Sequence, residues 1–378
     1  MPSLFESEVG VTRWRRELVA GMRNWLVLGL VVVLFSISAD FRRTFFTWSY
    51  LPNIFQQSAR NIVLAVGMSF VILTGGIDLS VGSVLALSGV GLALSLSGQF
   101  PAWLAFVCAF PPAICAGWIT FGTLAASARL PRAAGSACMF AGVDVVVGVI
   151  ISKGLSGGVH VEGAILICIS IGLACGLFNG LIVSVGNVPA FVVTLGMMSA
   201  ARGLTLFATN GESVPALVPR FMILGEGAPL VLASLSVVVA GMLIIGKFTL
   251  GRYILAIGGS EQATRLSGVD VIKYKTVAYA ASGLCAAIAA IMVTAMFGQA
   301  STNAASGAEL DAIAAVVIGG ASLSGGRGSI MGAMVGALTI TVITAGLILV
   351  HVPDTLQQVV LGALIVATVF VDQIRRRA

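Results

Sequence analysis

One carboxylate, Asp78, lies in a glycine-rich break between two apolar runs and is the residue best placed to do chemistry. The break reads LTGGIDLSVGS at 73–83, and residues 61–102 contain no other charged side chain. An ionised carboxylate at membrane depth costs about 2.5–3.5 kcal/mol on insertion scales, so it normally faces a bundle interior or a cavity. Two interpretations stay open: Asp78 acts at a gate or on a substrate hydroxyl or cation, or it is the structural N-cap of a helix that begins near Ser80.

A second group of charges lies around another apolar run. Glu309 and Asp311 come at its start, and Arg202 lies inside the apolar run 188–208. Two carboxylates spaced two apart do not share a helix face, so paired acid–base chemistry is not indicated. A helix start that favours acidic residues explains both, and a sharper hypothesis pairs Glu309 or Asp311 with Arg202.

The histidines, the cysteines and the glycine-rich segments of the sequence form neither a metal-binding motif nor a phosphate-binding loop. His160 and His351 stand singly, and the six cysteines include no C-x-x-C pair, so neither a metal site nor a cofactor is predicted. The chain contains no G-x-x-x-x-G-K-[ST] phosphate-binding loop. We therefore predict that the chain is not an enzyme and cannot hydrolyse ATP by itself.

The composition indicates which elements must position these residues. The chain has 378 residues, of which 58% are hydrophobic and 10% charged, and its mean hydropathy is +1.05. Soluble domains carry about 25% charged residues, so this is an integral protein of the lipid bilayer. The net charge of +6 comes from basic residues in short loops and tails, which are typical topology signals, and nucleic-acid binding is not indicated.

Apolar runs predict an all-α polytopic membrane helix bundle of about 10–12 transmembrane helices, including possible half-helices. The run 308–320 is too short to span comfortably and is a candidate half-helix or re-entrant segment. Placing the N-terminus in the cytoplasm puts fifteen of the 21 basic residues on that side and five on the other, which favours cytoplasmic termini. The runs are 25–38, 60–76, 80–97, 103–126, 138–152, 163–185, 188–208, 229–246, 276–297, 308–320, 328–350 and 355–371.

The longest polar interruption, 247–275, is predicted to face the cytoplasm. Within it a short helix is expected, with Ser260 as N-cap, Glu261 in the first turn and Gly268 as the stop. A helix this short and polar is not stable alone in water, so we expect it to dock on the membrane domain or on a cytoplasmic partner. The predicted domains are a tail at 1–24, a transmembrane domain at 25–372 and a tail at 373–378.

Several segments together resemble the permease subunits of bacterial ABC importers of the ribose, xylose and galactose type. They occur in the family's order over most of the chain. The chain departs from the family pattern by an insertion at 100–160, which is interpreted as an added hairpin. The matching segments are VGMSFVILTGGIDLSVGS (66–83), FNGL (178–181), VPAFVVTLGMM (188–198), GRY (251–253), AIGG (256–259), RLSGV (265–269) and ELDAIAAVVIGG (309–320).

The resemblance implies a multi-pass permease of the bacterial inner membrane that imports a monosaccharide or related polyol by alternating access. Its implied partners are cytoplasmic ABC ATPase subunits, a periplasmic sugar-binding protein and a second permease copy in a homo- or heterodimer. The short helix then becomes the ATPase-coupling element, with Ser260, Glu261, Ala263, Arg265 and Gly268 as its candidate residues. Candidates for the substrate pathway or its gates are Asp78, Asn179, Thr194, Arg202, Glu309 and Asp311.

Two other functions remain open at this point. A branched-chain amino acid ABC permease has a related architecture, and competition between sugars and leucine would distinguish it. An ion-coupled secondary transporter needs intramembrane acids that titrate or bind ions. The scarcity of charged residues in most of the apolar runs argues against the second alternative.

Overall fold

The computed structural model describes residues 24–48, 50–101, 104 and 160–377. This part of the chain contains fourteen α-helices and one ribbon of two short strands, so the all-α membrane bundle is confirmed. The tail at 1–24 and the hairpin at 100–160 lie almost entirely outside the described residues. The helices are α1 Asn24–Phe35, α2 Ala39–Phe45, α3 Tyr50–Leu73, α4 Val81–Leu96, α5 Val161–Val185, α6 Ala190–Thr209, α7 Pro219–Met222, α8 Gly227–Lys247, α9 Thr249–Gly259, α10 Glu261–Leu266, α11 Val271–Phe297, α12 Ala308–Ile318, α13 Ile330–Leu349 and α14 Asp354–Arg377.

Five of the described helices are long and apolar enough to cross a membrane, namely α5, α6, α8, α11 and α13. Their bounds lie within a few residues of the predicted runs. The total of 10–12 crossings stays a prediction, because two of the predicted runs fall outside the described residues. Helix α12 has 11 residues, or about 16 Å, which is about half of the hydrocarbon thickness and fits a half-helix.

One predicted boundary is wrong. The apolar pattern starts the second run at 60, whereas α3 begins at Tyr50 and has 24 residues. Polar residues in its first turns, including Gln56, Gln57 and Arg60, hide this start from a hydropathy pattern. Arg60 is therefore a residue of the helix, and its Nε donates to Asn61 Oδ1 at 3.1 Å.

The chain divides into two compact units. The first combines the segments Met1–Gly76, Val231–Thr264 and Leu310–Ala378. In it α3 packs along α13, and a buried cluster around Phe41 and Phe45 joins α2 to both helices. The buried amide of Asn24 donates to the Gly319 carbonyl oxygen at 2.7 Å, which fastens α1 to the end of α12.

The second unit combines Ile77–Leu230 and Arg265–Glu309. Its helices α4, α5 and α11 pack against one another, and α6 lies against α4. Strands β1 (Val214–Pro215) and β2 (Gln299–Ala300) pair antiparallel with Val214 opposite Ala300. This unit contains residues 77–83 of the break, including Asp78.

Small residues set the distance between α5 and α11. Gly172, Gly176 and Gly180 recur every fourth residue on α5 and form one face. A Cβ added at Gly176 would overlap the carbonyl oxygen of Tyr279 and lie 3.0 Å from Ala280 Cα. Helices in lipid gain little from the hydrophobic effect and associate through such close packing, so this glycine face brings the polar groups of α5 and α11 together.

Candidate functional site

The Asp78 carboxylate is buried in the second unit, with 1% of its surface exposed. Its Oδ1 accepts hydrogen bonds from the Ser80 backbone N–H at 3.0 Å and from Ser80 Oγ at 2.6 Å. Its Oδ2 accepts from Ser282 Oγ of α11 at 2.8 Å. Three donors thus replace the water that burial removes, which is the condition for a stable buried carboxylate.

This geometry corrects the N-cap interpretation. The N-cap of α4 is Ser80, and Asp78 bonds to the cap residue rather than to an N–H of the first helical turn. The contact with Ser282 joins residues 204 positions apart. Asp78 therefore fixes the break to a second helix, which an N-cap role alone does not require.

Two other predicted residues meet the same break. The buried Asn179 of α5 donates from Nδ2 to Ser80 Oγ at 2.9 Å. Thr194 of α6 has its Oγ1 2.9 Å from the Ala190 carbonyl oxygen of its own helix and 3.3 Å from that of Ile77. Asn179 and Thr194, which lie far from Asp78 in the sequence, thus both contact the short segment that contains Asp78. We name the residues 77–80, Asn179, Thr194 and Ser282 the break cluster.

Two buried polar atoms near the break cluster have no hydrogen-bond partner within the described residues. They are Oδ1 of Asn179 and the hydroxyl oxygen of Tyr279. Tyr279 lies on α11, one turn before Ser282, and its exposed fraction is 1%. Buried polar atoms are normally hydrogen-bonded. These two atoms therefore show that the break cluster and its surroundings hold more polar groups than the hydrogen bonds described above use.

Glu309 lies at the N-terminus of α4. A Cβ added at Gly82, in the first turn of that helix, would lie 2.5 Å from Glu309 Oε2. Carboxylates are favourable at this position because the first N–H groups of a helix point outward and carry partial positive charge. The acidic residue at the start of α4 is therefore Glu309, contributed from a distant part of the chain.

The other two charged candidates have partners that are not members of the break cluster. A guanidinium nitrogen of Arg202 donates to the carbonyl oxygen of Thr302 in the second unit. Asp311, in the first unit, interacts electrostatically with Arg60 of α3. The proposed pairing of Arg202 with Glu309 or Asp311 stays a prediction.

The short polar helix is confirmed as α10, Glu261–Leu266. Ser260 caps it, since its Oγ accepts the Ala263 backbone N–H at 3.3 Å. Gly268 follows the helix with φ +81°, a left-handed conformation that favours glycine at a helix stop. Arg265 is exposed, and the apolar side chain of Leu266 is 89% exposed.

Sequence reasoning missed Ser282, Tyr279 and Leu266. A serine or tyrosine in an apolar run carries no charge, and nothing in the pattern around Ser282 or Tyr279 distinguishes it from a residue that bonds only within its own helix. Leu266 was read as part of a helix motif, and only its exposure indicates a contact surface. Ser80 was predicted to lie at the start of a helix, as it does. Its hydrogen bonds to Asp78 and from Asn179 were not predicted.

Comparison with known proteins agrees with these features. Residues 50–369 match the family described as the branched-chain amino acid transport system / permease component. The chain belongs to this permease family. The match begins at α3 and ends within α14, so it includes the second unit, most of the first unit and the break cluster of the permease.

Curated relatives match along nearly the whole permease. The ribose import permease protein RbsC of Escherichia coli (strain K12) is 36% identical, over 93% of this chain and 95% of its own length. RbsC of Bacillus subtilis (strain 168) is 34% identical over 92% and 91%. The D-allose transport system permease protein AlsC of E. coli K12 is 32% identical over 93% and 91%. No solved structure matches the chain.

We expect Ser282→Ala to lower the stability of the permease by about 1–3 kcal/mol, because it removes a donor from a buried carboxylate. Ser236→Ala is the matched control, since Ser236 is exposed on α8 and its Oγ donates to Ala233 of the same helix. Thermal unfolding of the two purified variants in detergent measures the difference. Equal unfolding temperatures would contradict the role given to Ser282.

Proposed function

We propose that the permease is the membrane subunit of an ATP-driven importer that moves a monosaccharide or related polyol across the bacterial inner membrane. The observation that carries the proposal is the full-length similarity to ribose and allose import permeases. An importer of this kind moves substrate by alternating access, with the pathway opening to one side of the membrane at a time.

The family description names branched-chain amino acids, which is the alternative substrate class. RbsC of E. coli, RbsC of B. subtilis and AlsC of E. coli each match more than nine-tenths of the chain and carry the names of ribose or allose permeases. Similarity along the whole length includes the pathway helices, whereas a family description covers members of several specificities. The sugar is therefore the better supported substrate class.

Energy for transport comes, in this proposal, from separate cytoplasmic ABC ATPase subunits. The supporting observations are a capped six-residue helix with four exposed residues and the absence of a phosphate-binding loop from the sequence. Arg265 and Leu266 offer a charge and an apolar anchor to a groove on the ATPase, and Glu261 supplies a second charge. The remaining partners are a periplasmic sugar-binding protein and a second permease copy, and both termini face the cytoplasm.

The break cluster acts at the gate of the pathway rather than as the substrate-binding surface. Asp78 already accepts three hydrogen bonds inside the protein, so it has little capacity left for a sugar hydroxyl. Asp78 and Asn179 instead hold the break against α11 and α5. Glu309 stabilises the beginning of α4, so that this helix end moves as one body during the cycle.

Uptake in cells tests the substrate class. Cells that express the permease with its neighbouring ATPase and binding-protein genes should accumulate labelled ribose or another monosaccharide, because all parts of the importer are then present. Unlabelled sugars should compete, and leucine should not. Competition by leucine alone would favour the amino acid alternative, and transport by the permease alone in vesicles would favour an ion-coupled transporter.

Gate variants test the break cluster. Asp78→Asn and Glu309→Gln should each lower uptake by about tenfold while the permease still assembles with the ATPase. Asp78→Asn weakens buried hydrogen bonds worth about 1–3 kcal/mol, and Glu309→Gln removes the negative charge at the start of α4. Glu226→Gln, a carboxylate exposed after the Ile223–Gly225 turn, is the matched control. Wild-type uptake in both gate variants would remove them from the mechanism.

Contact variants test the coupling helix. Glu261→Lys, Arg265→Glu and Leu266→Asp should each reduce co-purification of the ATPase with the permease, since each reverses a charge or removes the apolar anchor. Leu217→Asp is the control, because Leu217 is 70% exposed in the loop that follows β1. Undiminished co-purification in all three coupling variants would overturn the assignment of α10.

A further inference from the structure

Three backbone segments of the first unit meet without side chains between them. They are 73–76, after α3; 258–259, at the end of α9; and 322–328, before α13. The Gly326 N–H donates to the Leu73 carbonyl oxygen at 3.0 Å. We name this contact region the glycine junction.

The junction has no room for a side chain at Gly258. An added Cβ there would overlap the carbonyl oxygen of Leu73 and the backbone nitrogen of Gly326. On the opposite side, a Cβ added at Gly325 would lie 2.7 Å from Gly75 N. Real Cβ atoms essentially never approach so closely, so the three backbones are in direct contact.

The segment 322–328 is braced by its own hydrogen bonds. The Ser322 N–H donates to the Arg327 carbonyl oxygen at 2.8 Å, and the Gly325 N–H donates to the Ser322 carbonyl oxygen at 2.9 Å. Ser329 then caps α13, because its Oγ accepts the Gly332 N–H at 3.0 Å. The segment therefore behaves as a stiff extension of the N-terminus of α13.

Two of the three segments of the junction lead directly to a functional element. Gly259 is followed by Ser260, the N-cap of the coupling helix α10. Gly76 is followed by Ile77 and Asp78 of the break cluster. Backbone contacts have no rotamers that could absorb a displacement, so a shift of one segment must move the others.

We propose that Gly258 is a positioning residue that transmits movement of the coupling helix to the ends of α3 and α13. The proposal rests on the proposed function, because it assumes that an ATPase moves α10. The absence of a side chain at Gly258 keeps the three backbones in contact. A methyl group at Gly258 separates the three backbones. The ATPase then still hydrolyses ATP, but the transport pathway no longer opens in response.

Two adjacent glycines give a matched test. Gly258→Ala forces the junction apart, whereas Gly259→Ala places its Cβ in open space, with no atom within 4 Å. Both changes make the same substitution at the end of α9, so local helix propensity is equal in the pair. The importer complex is reconstituted in vesicles, and sugar uptake and ATP hydrolysis are measured together.

We expect uptake per ATP hydrolysed to fall about tenfold in Gly258→Ala, the factor that corresponds to a typical overpacking penalty. Co-purification of the ATPase should be unchanged, and Gly259→Ala should match wild type. If Gly258→Ala does not accumulate in membranes, Gly75→Ala, whose Cβ would lie 3.2 Å from the Ser324 carbonyl oxygen, replaces it with the same expected loss.

Wild-type coupling in an assembled Gly258→Ala or Gly75→Ala complex overturns the proposal. Equal losses in Gly258→Ala and Gly259→Ala also overturn it, because the effect is then local to the end of α9. Failure of the proposed function is separate, since in that case the wild-type complex itself shows no sugar uptake that depends on ATP.

Discussion

The burial of one carboxylate constrains the second unit more than any other interaction. Asp78 has 1% of its surface exposed and accepts hydrogen bonds from Ser80 and Ser282. A buried carboxylate that loses its donors costs several kcal/mol, so α11 must stay close enough for Ser282 to reach the break. Asn179 adds α5 to the same arrangement through Ser80. The solvation of a single charge therefore constrains the mutual positions of α4, α5 and α11.

Glycine makes such close positions possible, and it does so differently in the two units. In the second unit Gly176 and its neighbours on α5 let two long helices approach along their length. In the first unit Gly258 and Gly326 let loop backbones touch where helices end. The bilayer gives helices little hydrophobic reason to associate, so packing contacts and polar contacts must hold the bundle. The high glycine content, 46 residues of 378, is consistent with both uses.

The sequence predicts the helices and the polar residues of the site, but not how those residues pair. Hydropathy placed most of the described helices, and the capping pattern of Ser260 and Gly268 located α10, because both signals are local. It misplaced the start of α3, because Arg60 and the glutamines before it interrupt the apolar pattern. Pairs such as Asp78 with Ser282 depend on helix packing over 204 residues. An uncharged serine in an apolar run gives no signal of such a contact.

The division of labour within an importer follows from how the polar groups of the permease are engaged. Asp78 bonds to Ser282 and Thr194 bonds to the Ile77 carbonyl oxygen, both within the break cluster, and Arg202 bonds to the Thr302 carbonyl oxygen. Polar groups that hydrogen-bond to one another stabilise a conformation. Polar groups that recognise a sugar must instead be able to exchange their hydrogen-bond partners for the sugar hydroxyls. On the proposed function, the break cluster therefore stabilises one state of a gate, and work from outside the membrane must break its hydrogen bonds. Such work reaches the membrane helices only through a stiff connection, which is why direct backbone contact at Gly258 matters more than any charged side chain nearby.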